Sequence, residues 1–213
     1  MAKLNSLITK IDNLKKSDLR NKIRSRIHEF KSLGEFASDK ELFSELCFCI
    51  MTANFNAEKA IKIQTELKEH FSKLPEKKLA ERLKQLGHRY PNTRANYISH
   101  SQQHSLTLSK KLDELDEFAL REWLVKNIKG LGMKEASHFM RNIGYESVAI
   151  IDFHIVDILV EHGLIKKPKN KSMSKKQYLE IEEILRSLGQ KTSLTLAELD
   201  IYLWYVETGK VLK

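Results

Sequence analysis

The chain has 213 residues, enough to bury a sizeable core as one domain or as two small lobes. A hydrophobic content of 41% with 31% charge excludes a disordered polymer, and no apolar run approaches the roughly 20 residues that a membrane span needs. The excess of 37 Lys+Arg over 28 Asp+Glu gives a net charge of +9, which favours polyanionic partners, nucleic acid ahead of an anionic membrane surface.

With only 8 Gly and 3 Pro, turns are few and long helices are expected. In LNSLITKIDNL, Leu4, Leu7, Ile8, Ile11 and Leu14 mark one face of a first helix, and a second covers about 18–32. Ser38 or Asp39 caps a third, DKELFSELCFCIMTAN, whose continuous apolar stretch implies burial on all sides. Helices follow at about 56–72, 76–86 and 91–110. Asp116 opens DEFALREWLVKNI, and KEASHFMRNI resumes the helix after a glycine turn. Asp152 caps FHIVDILVEHG, Ser174 opens KKQYLEIEEILRSLG, and TLAELDIYLWYVETG closes the set. The one extended-looking piece, SVAII, leads straight into Asp152. The expected fold is all-α with about ten helices and no internal repeat. Between helices, KKPKNKSMSKK holds six lysines in residues 166–176, either a solvated loop or a phosphate-contacting one.

Cys47 and Cys49 lie in the apolar run ELCFCIM and read as reduced core thiols. Two cysteines cannot supply four thiolates, and no zinc-like Cys/His spacing occurs, so neither a cysteine-ligated cluster nor another metal is expected. The N-terminus, MAKLNSLITKIDNLKK, carries lysines throughout and lacks a signal-peptide core, so a cytoplasmic location is expected.

NIKGLGMKEASHFMRN, residues 127–142, holds the first candidate residue for chemistry. Helix, Gly-x-Gly turn, helix is the pattern of a helix-hairpin-helix, here spanning about 116–143. Gly130 and Gly132 are expected to take backbone angles that a side chain would forbid, keeping the turn tight. Its N–H groups then point outward beside the positive end of the next helix and can bind a phosphate oxygen. Backbone donors do not read bases, so such a hairpin anchors DNA of any sequence. A plain inter-helix turn has the same glycines. Lys134 opens the second helix, where a cation is disfavoured. It is either a mildly costly surface residue or an amine made available as a nucleophile. Asp152, 18 residues further on, is an N-cap that can also sit near a developing positive charge.

The run KGLGMKEASHFMRNIGYESVAIIDFH resembles the catalytic segment of the helix-hairpin-helix DNA glycosylase superfamily. ELCFCIMTANFNAEKAIKIQ, LGHRYPNTRANYI and the ending ELDIYLWYVETGKVLK are similar to the compact prokaryotic type 2 8-oxoguanine DNA glycosylases, so the resemblance runs nearly end to end. It implies two helical lobes with an active-site cleft between them: 36–130 as the central lobe, and 1–35 with 131–213 as the second. It also implies a bifunctional enzyme, without cofactor, acting as a monomer on double-stranded DNA that contains oxidised guanine.

The resemblance gives roles to Lys134, Asp152, Lys213 and Asn54, and position alone suggests the others. Lys134 is the nucleophile that displaces the base and forms a Schiff base, and Asp152 is the catalytic aspartate. Lys213 brings its carboxylate into the base pocket as an acceptor for the extra N–H of 8-oxoguanine; a frayed terminus is the alternative. Trp204 is the stacking surface, unless it is an ordinary core or surface aromatic. His138, one helical turn beyond Lys134, and Met133 either line the pocket or simply pack. Asn54, ending the buried helix, either fills the vacated base stack or caps the helix. His88 and Arg89 are candidate contacts to the DNA backbone or the opposite base. An endonuclease III-like enzyme for oxidised pyrimidines would keep Lys134 and Asp152. A non-catalytic helix-hairpin-helix module would need neither.

Overall fold

The computed structural model describes residues 2–168, 170 and 173–213. Among them all regular structure is helical, in the order α1 (Ala2–Lys15), α2 (Leu19–Phe36), α3 (Asp39–Thr52), α4 (Ala57–Leu67), α5 (Glu76–Gln85), α6 (Pro91–Ser101), α7 (Leu108–Glu114), α8 (Glu117–Asn127), α9 (Met133–Asn142), α10 (Phe153–Glu161), α11 (Lys175–Thr192) and α12 (Leu196–Thr208). The all-α expectation holds, with two of the expected helices broken. The stretch 56–72 ends in a 3-10 turn, Lys68–Ser72, and 91–110 divides into α6, a short 3-10 turn and α7.

The chain forms two compact units, Ser32–Ile143 and the segments before and after it. The division differs from the expected 36–130 because α9 packs on α3 and α8, burying Ala136, Phe139 and Met140 completely. α3 is the centre of the Ser32–Ile143 unit: Phe43, Leu46, Cys47, Phe48, Cys49, Ile50 and Met51 are all at 0% exposure, so every face is covered. Ser38, not Asp39, caps it, in a reciprocal box with Glu41. Asp39 instead accepts the Ser109 N–H at 2.8 Å. Buried Glu45 of α3 takes N–H donors from Gln64 of α4 at 3.0 Å and Asn142 of α9 at 2.6 Å, joining three helices. Both cysteines are buried and neither forms a disulfide.

In the other unit, Leu19, Ile23, Ile27 and Phe30 present one stripe of α2 to Ala197, Ile201 and Tyr202 of α12. α10 packs on α12, and α1 on α11. α11 runs through Gly189 to Thr192 rather than ending there, and a Cβ at Gly189 would lie 2.7 Å from the Leu194 carbonyl oxygen. The glycine permits a close backbone crossing. SVAII forms no strand among the described residues. Side chains of α11 satisfy its backbone instead. Glu182 accepts the Ala149 N–H at 2.8 Å, and the Tyr178 hydroxyl donates to the Ala149 carbonyl at 2.6 Å and accepts the Ile151 N–H at 3.2 Å. Arg186 donates to the Ser147 carbonyl at 3.1 Å. Of the lysine run, Lys169 and Lys171 lie outside the described residues, while Lys166, Lys167, Lys175 and Lys176 are exposed.

Candidate active site and nucleic-acid interface

α8, the turn 128–132 and α9 form the helix-hairpin-helix. Asp116 opens it by accepting the N–H groups of Phe118 and Ala119 at 3.0 and 2.9 Å. The two glycines differ in kind. Gly130 has φ +89°, and a Cβ there would fall 2.2 Å from the Tyr97 ring of α6, so both conformation and space require glycine. Gly132 was expected to share that role but has φ −97° and ψ −172°, extended backbone open to any residue. It is the N-cap of α9, and its N–H is taken by the Glu135 carboxylate at 3.2 Å. Behind the turn, the Tyr97 ring carries Arg94 and Lys129 over its face at 5.6 and 6.0 Å.

Lys134 stands in the first turn of α9 with a third of its side chain exposed, and its Nζ lies 3.0 Å from Glu135 Oε1. Met133 beside it is half-buried. His138, one turn on, is also half-buried and meets Phe48 edge-on at 5.6 Å.

The end of α3 is held from outside. His88, expected at the DNA, is 4% exposed and has both ring nitrogens engaged. Nδ1 accepts the Tyr90 N–H at 3.0 Å, so Nε2 carries the proton and donates to the Met51 carbonyl at 3.1 Å. Burial holds the His88 pKa below its usual value, keeping the ring neutral. Arg94 donates to the Ala53 carbonyl at 2.5 Å. Together they satisfy carbonyls that α3 leaves without helical partners. Asn54 follows, exposed and left-handed at φ +57°. The helix cap is Ala53, so Asn54 lies one position beyond the capping place considered for it. His88 therefore holds the turn that presents Asn54. Arg89 is exposed, 5.0 Å over the Tyr90 ring.

In the other unit, the anchored segment 145–151 delivers Asp152 to the head of α10, where its carboxylate accepts the Ile155 N–H at 3.0 Å. The half-buried carboxylate is thus fixed by backbone on one side and by its cap bond on the other. Phe153 is 67% exposed beside it, with its ring 4.1 Å from that of His154. His154 meets Trp204 of α12 edge-on at 5.1 Å, so Trp204 is brought to the Asp152 end of α10. The Trp204 indole nitrogen is buried and makes no hydrogen bond among the described residues. After Gly209 closes α12 in a left-handed turn, Val211 packs on the α2–α12 cluster, and Lys213 is half-buried. The sequence reading missed Glu135, Tyr97, Phe153, Tyr178 and Glu182. Of these only Glu135 left a local signal, a Gly-x-x-Glu half capping box.

Residues 23–194 match the family model described as 8-oxoguanine DNA glycosylase. A protein of Korarchaeum cryptofilum named 8-oxoguanine DNA glycosylase/AP lyase is 47% identical over 211 residues, covering 99% of each chain. One of the same name from Methanocaldococcus jannaschii is 50% identical over 207 residues, covering 97% of this chain and 99% of the other. The crystal structure of the Methanocaldococcus jannaschii 8-oxoguanine glycosylase/lyase in complex with a 15mer DNA containing 8-oxoguanine superposes with a TM-score of 0.94 at 49% identity, over 98% of this chain and 100% of that one.

Proposed function

Since the chain belongs to the 8-oxoguanine DNA glycosylase family, we propose that Lys134 and Asp152 carry out base removal and strand nicking in this protein. The protein is a bifunctional DNA repair enzyme, an 8-oxoguanine DNA glycosylase and AP lyase. The observation that carries the assignment is a lysine with a third of its side chain exposed at the head of α9, directly after a hairpin turn in which Gly130 has a positive φ and no room for a Cβ.

A base inside a duplex is out of reach, so the damaged nucleotide is flipped out of the stack. The hairpin grips the backbone through turn N–H groups, independent of sequence. The Lys134 amine attacks C1′ of the deoxyribose as the bond to the base breaks. Positive charge builds on the sugar in that step. Asp152, its carboxylate preset by the Ile155 N–H, stabilises that charge more than it stabilises the neutral ground state. The resulting Schiff base acidifies the neighbouring carbon, and β-elimination expels the 3′ phosphate. One amine thus serves both activities.

In this reading Trp204 is the stacking surface for the extruded base, and Met133, His138 and Lys213 are the other residues assigned to recognising it. Asn54 enters the vacated space, and Arg89 contacts the backbone. Compared with guanine, 8-oxoguanine offers an N–H where guanine has an acceptor. A pocket acceptor selects for it, because an unpaired buried donor costs about 1–3 kcal/mol. Among the described residues no helix is long and apolar enough to cross a membrane. The enzyme works as a monomer in the cytoplasm, where its DNA lies.

Borohydride trapping on an 8-oxoguanine duplex tests the assignment. A covalent protein–DNA adduct is expected from the unaltered protein and none above background from Lys134→Gln. An undiminished adduct in that variant refutes the role of Lys134. Preference for a thymine glycol duplex overturns the substrate and keeps the mechanism.

A further inference from the structure

Lys134 shares the head of α9 with a neighbour that reaches two groups at once. Glu135, with 14% of its side chain exposed, holds Lys134 Nζ at 3.0 Å through Oε1 and the Gly132 N–H at 3.2 Å through Oε2. A glycine N-cap has no side chain to offer, so Glu135 supplies the only side-chain half of the capping box. A capping glutamate explains the bond to Gly132. It does not explain the bond to Lys134, because successive residues on a helix point in different directions. Arg94 of α6 also feels the Glu135 charge, but its guanidinium is committed to the Ala53 carbonyl.

One carboxylate therefore occupies a turn N–H suited to a phosphate oxygen and the amine that must reach the sugar. Carboxylate and phosphate are both anions and favour the same positive helix end, so they compete for one seat. Resting on the assignment of Lys134 as nucleophile, we propose that Glu135 is a positioning residue. It holds the Lys134 amine against the hairpin while no DNA is bound, and it yields the Gly132 N–H and Lys134 Nζ together when a DNA phosphate reaches the turn. Docking of the backbone then frees the amine, and until DNA arrives Lys134 reacts more slowly with other electrophiles than it does without the Glu135 contact.

Glu135→Gln separates this role from capping, since glutamine at the same position still accepts the Gly132 N–H but carries no charge. DNA-free protein is treated briefly with a small N-hydroxysuccinimide ester, and acylation of Lys134 is measured by peptide mass spectrometry relative to exposed Lys126. Glu135→Gln is expected to raise the Lys134 rate about two- to fivefold, the range that a partly exposed ion pair accounts for. In the unaltered protein, 1 M NaCl shortens the screening length to about 3 Å and is expected to bring the Lys134 rate up to that of the variant. The salt arm needs no substitution, so it stands even if the variant disturbs the cap. Equal Lys134 rates in the two proteins, with no response to salt, overturn the proposal. A normal adduct on 8-oxoguanine DNA alongside that result leaves the nucleophile assignment intact. Absence of the adduct from the unaltered protein removes both.

Discussion

Tyr178→Phe deletes one oxygen and tests how Asp152 is held. That hydroxyl donates to the Ala149 carbonyl at 2.6 Å and accepts the Ile151 N–H at 3.2 Å, and both backbone groups are buried. The phenyl ring keeps the packing, so the change isolates the two hydrogen bonds. Each contributes about 1 kcal/mol net, and a buried group left unpaired costs about 1–3 kcal/mol. The expected loss is about 2–4 kcal/mol, which for a chain of this size is a fall in Tm of about 5–15 °C. Urea denaturation gives the free energy, and single-turnover cleavage of an 8-oxoguanine duplex gives the consequence for Asp152, which lies one residue past Ile151. A geometric error of about 1 Å at a reacting group can cost on the order of a hundredfold in rate. Cleavage is therefore expected to fall by more than the unfolded fraction at the assay temperature explains. A change below about 0.5 kcal/mol, the usual effect of a neutral surface substitution, would refute the claim that α11 side chains replace sheet pairing here.

Gly130→Ala must place a Cβ 2.2 Å from the Tyr97 ring at φ +89°; a loss of about 1–3 kcal/mol is expected by thermal denaturation, together with weaker binding to undamaged duplex, whereas Gly132→Ala, in extended backbone, is expected to cost under about 1 kcal/mol. The lowered pKa of His88 gives stability that is fully present above the unfolded value of 6.5 and lost as pH falls through the folded one. Below 6.5 the unfolded ring takes up a proton that the folded ring refuses, so this site contributes a slope of at most about 1.4 kcal/mol per pH unit. His88→Gln is expected to flatten the urea-derived stability between about pH 5 and 6.5, and an unchanged slope would show that the ring is not buried neutral.

Much of this fold is written locally. Ser38 with Glu41, Ser174 with Gln177 and Thr195 with Glu198 each form a reciprocal capping box three residues apart, so those helix starts are readable directly. The break between α6 and α7 is not, because SQQHSLT contains no glycine or proline to mark it. Asp152 was readable as a cap before an apolar helix, and Lys134 as a residue in the first turn of the helix after the glycine turn. His88 and Gly132 were misread for physical reasons. Burial of a histidine depends on a carbonyl 37 residues away in sequence, and a glycine's dihedral angles cannot be read from its identity. Tyr178 was invisible for the same reason, since its partners lie 27 and 29 residues earlier.

Cys47 and Cys49 sit on the fully covered helix α3, and burial pushes the Cys47 thiol well above its usual pKa. Peroxide attacks the thiolate, so a thiol kept protonated and walled off reaches the sulfenic stage slowly. The oxidants that create the lesion thus meet no reactive sulfur at the centre of the enzyme that removes it.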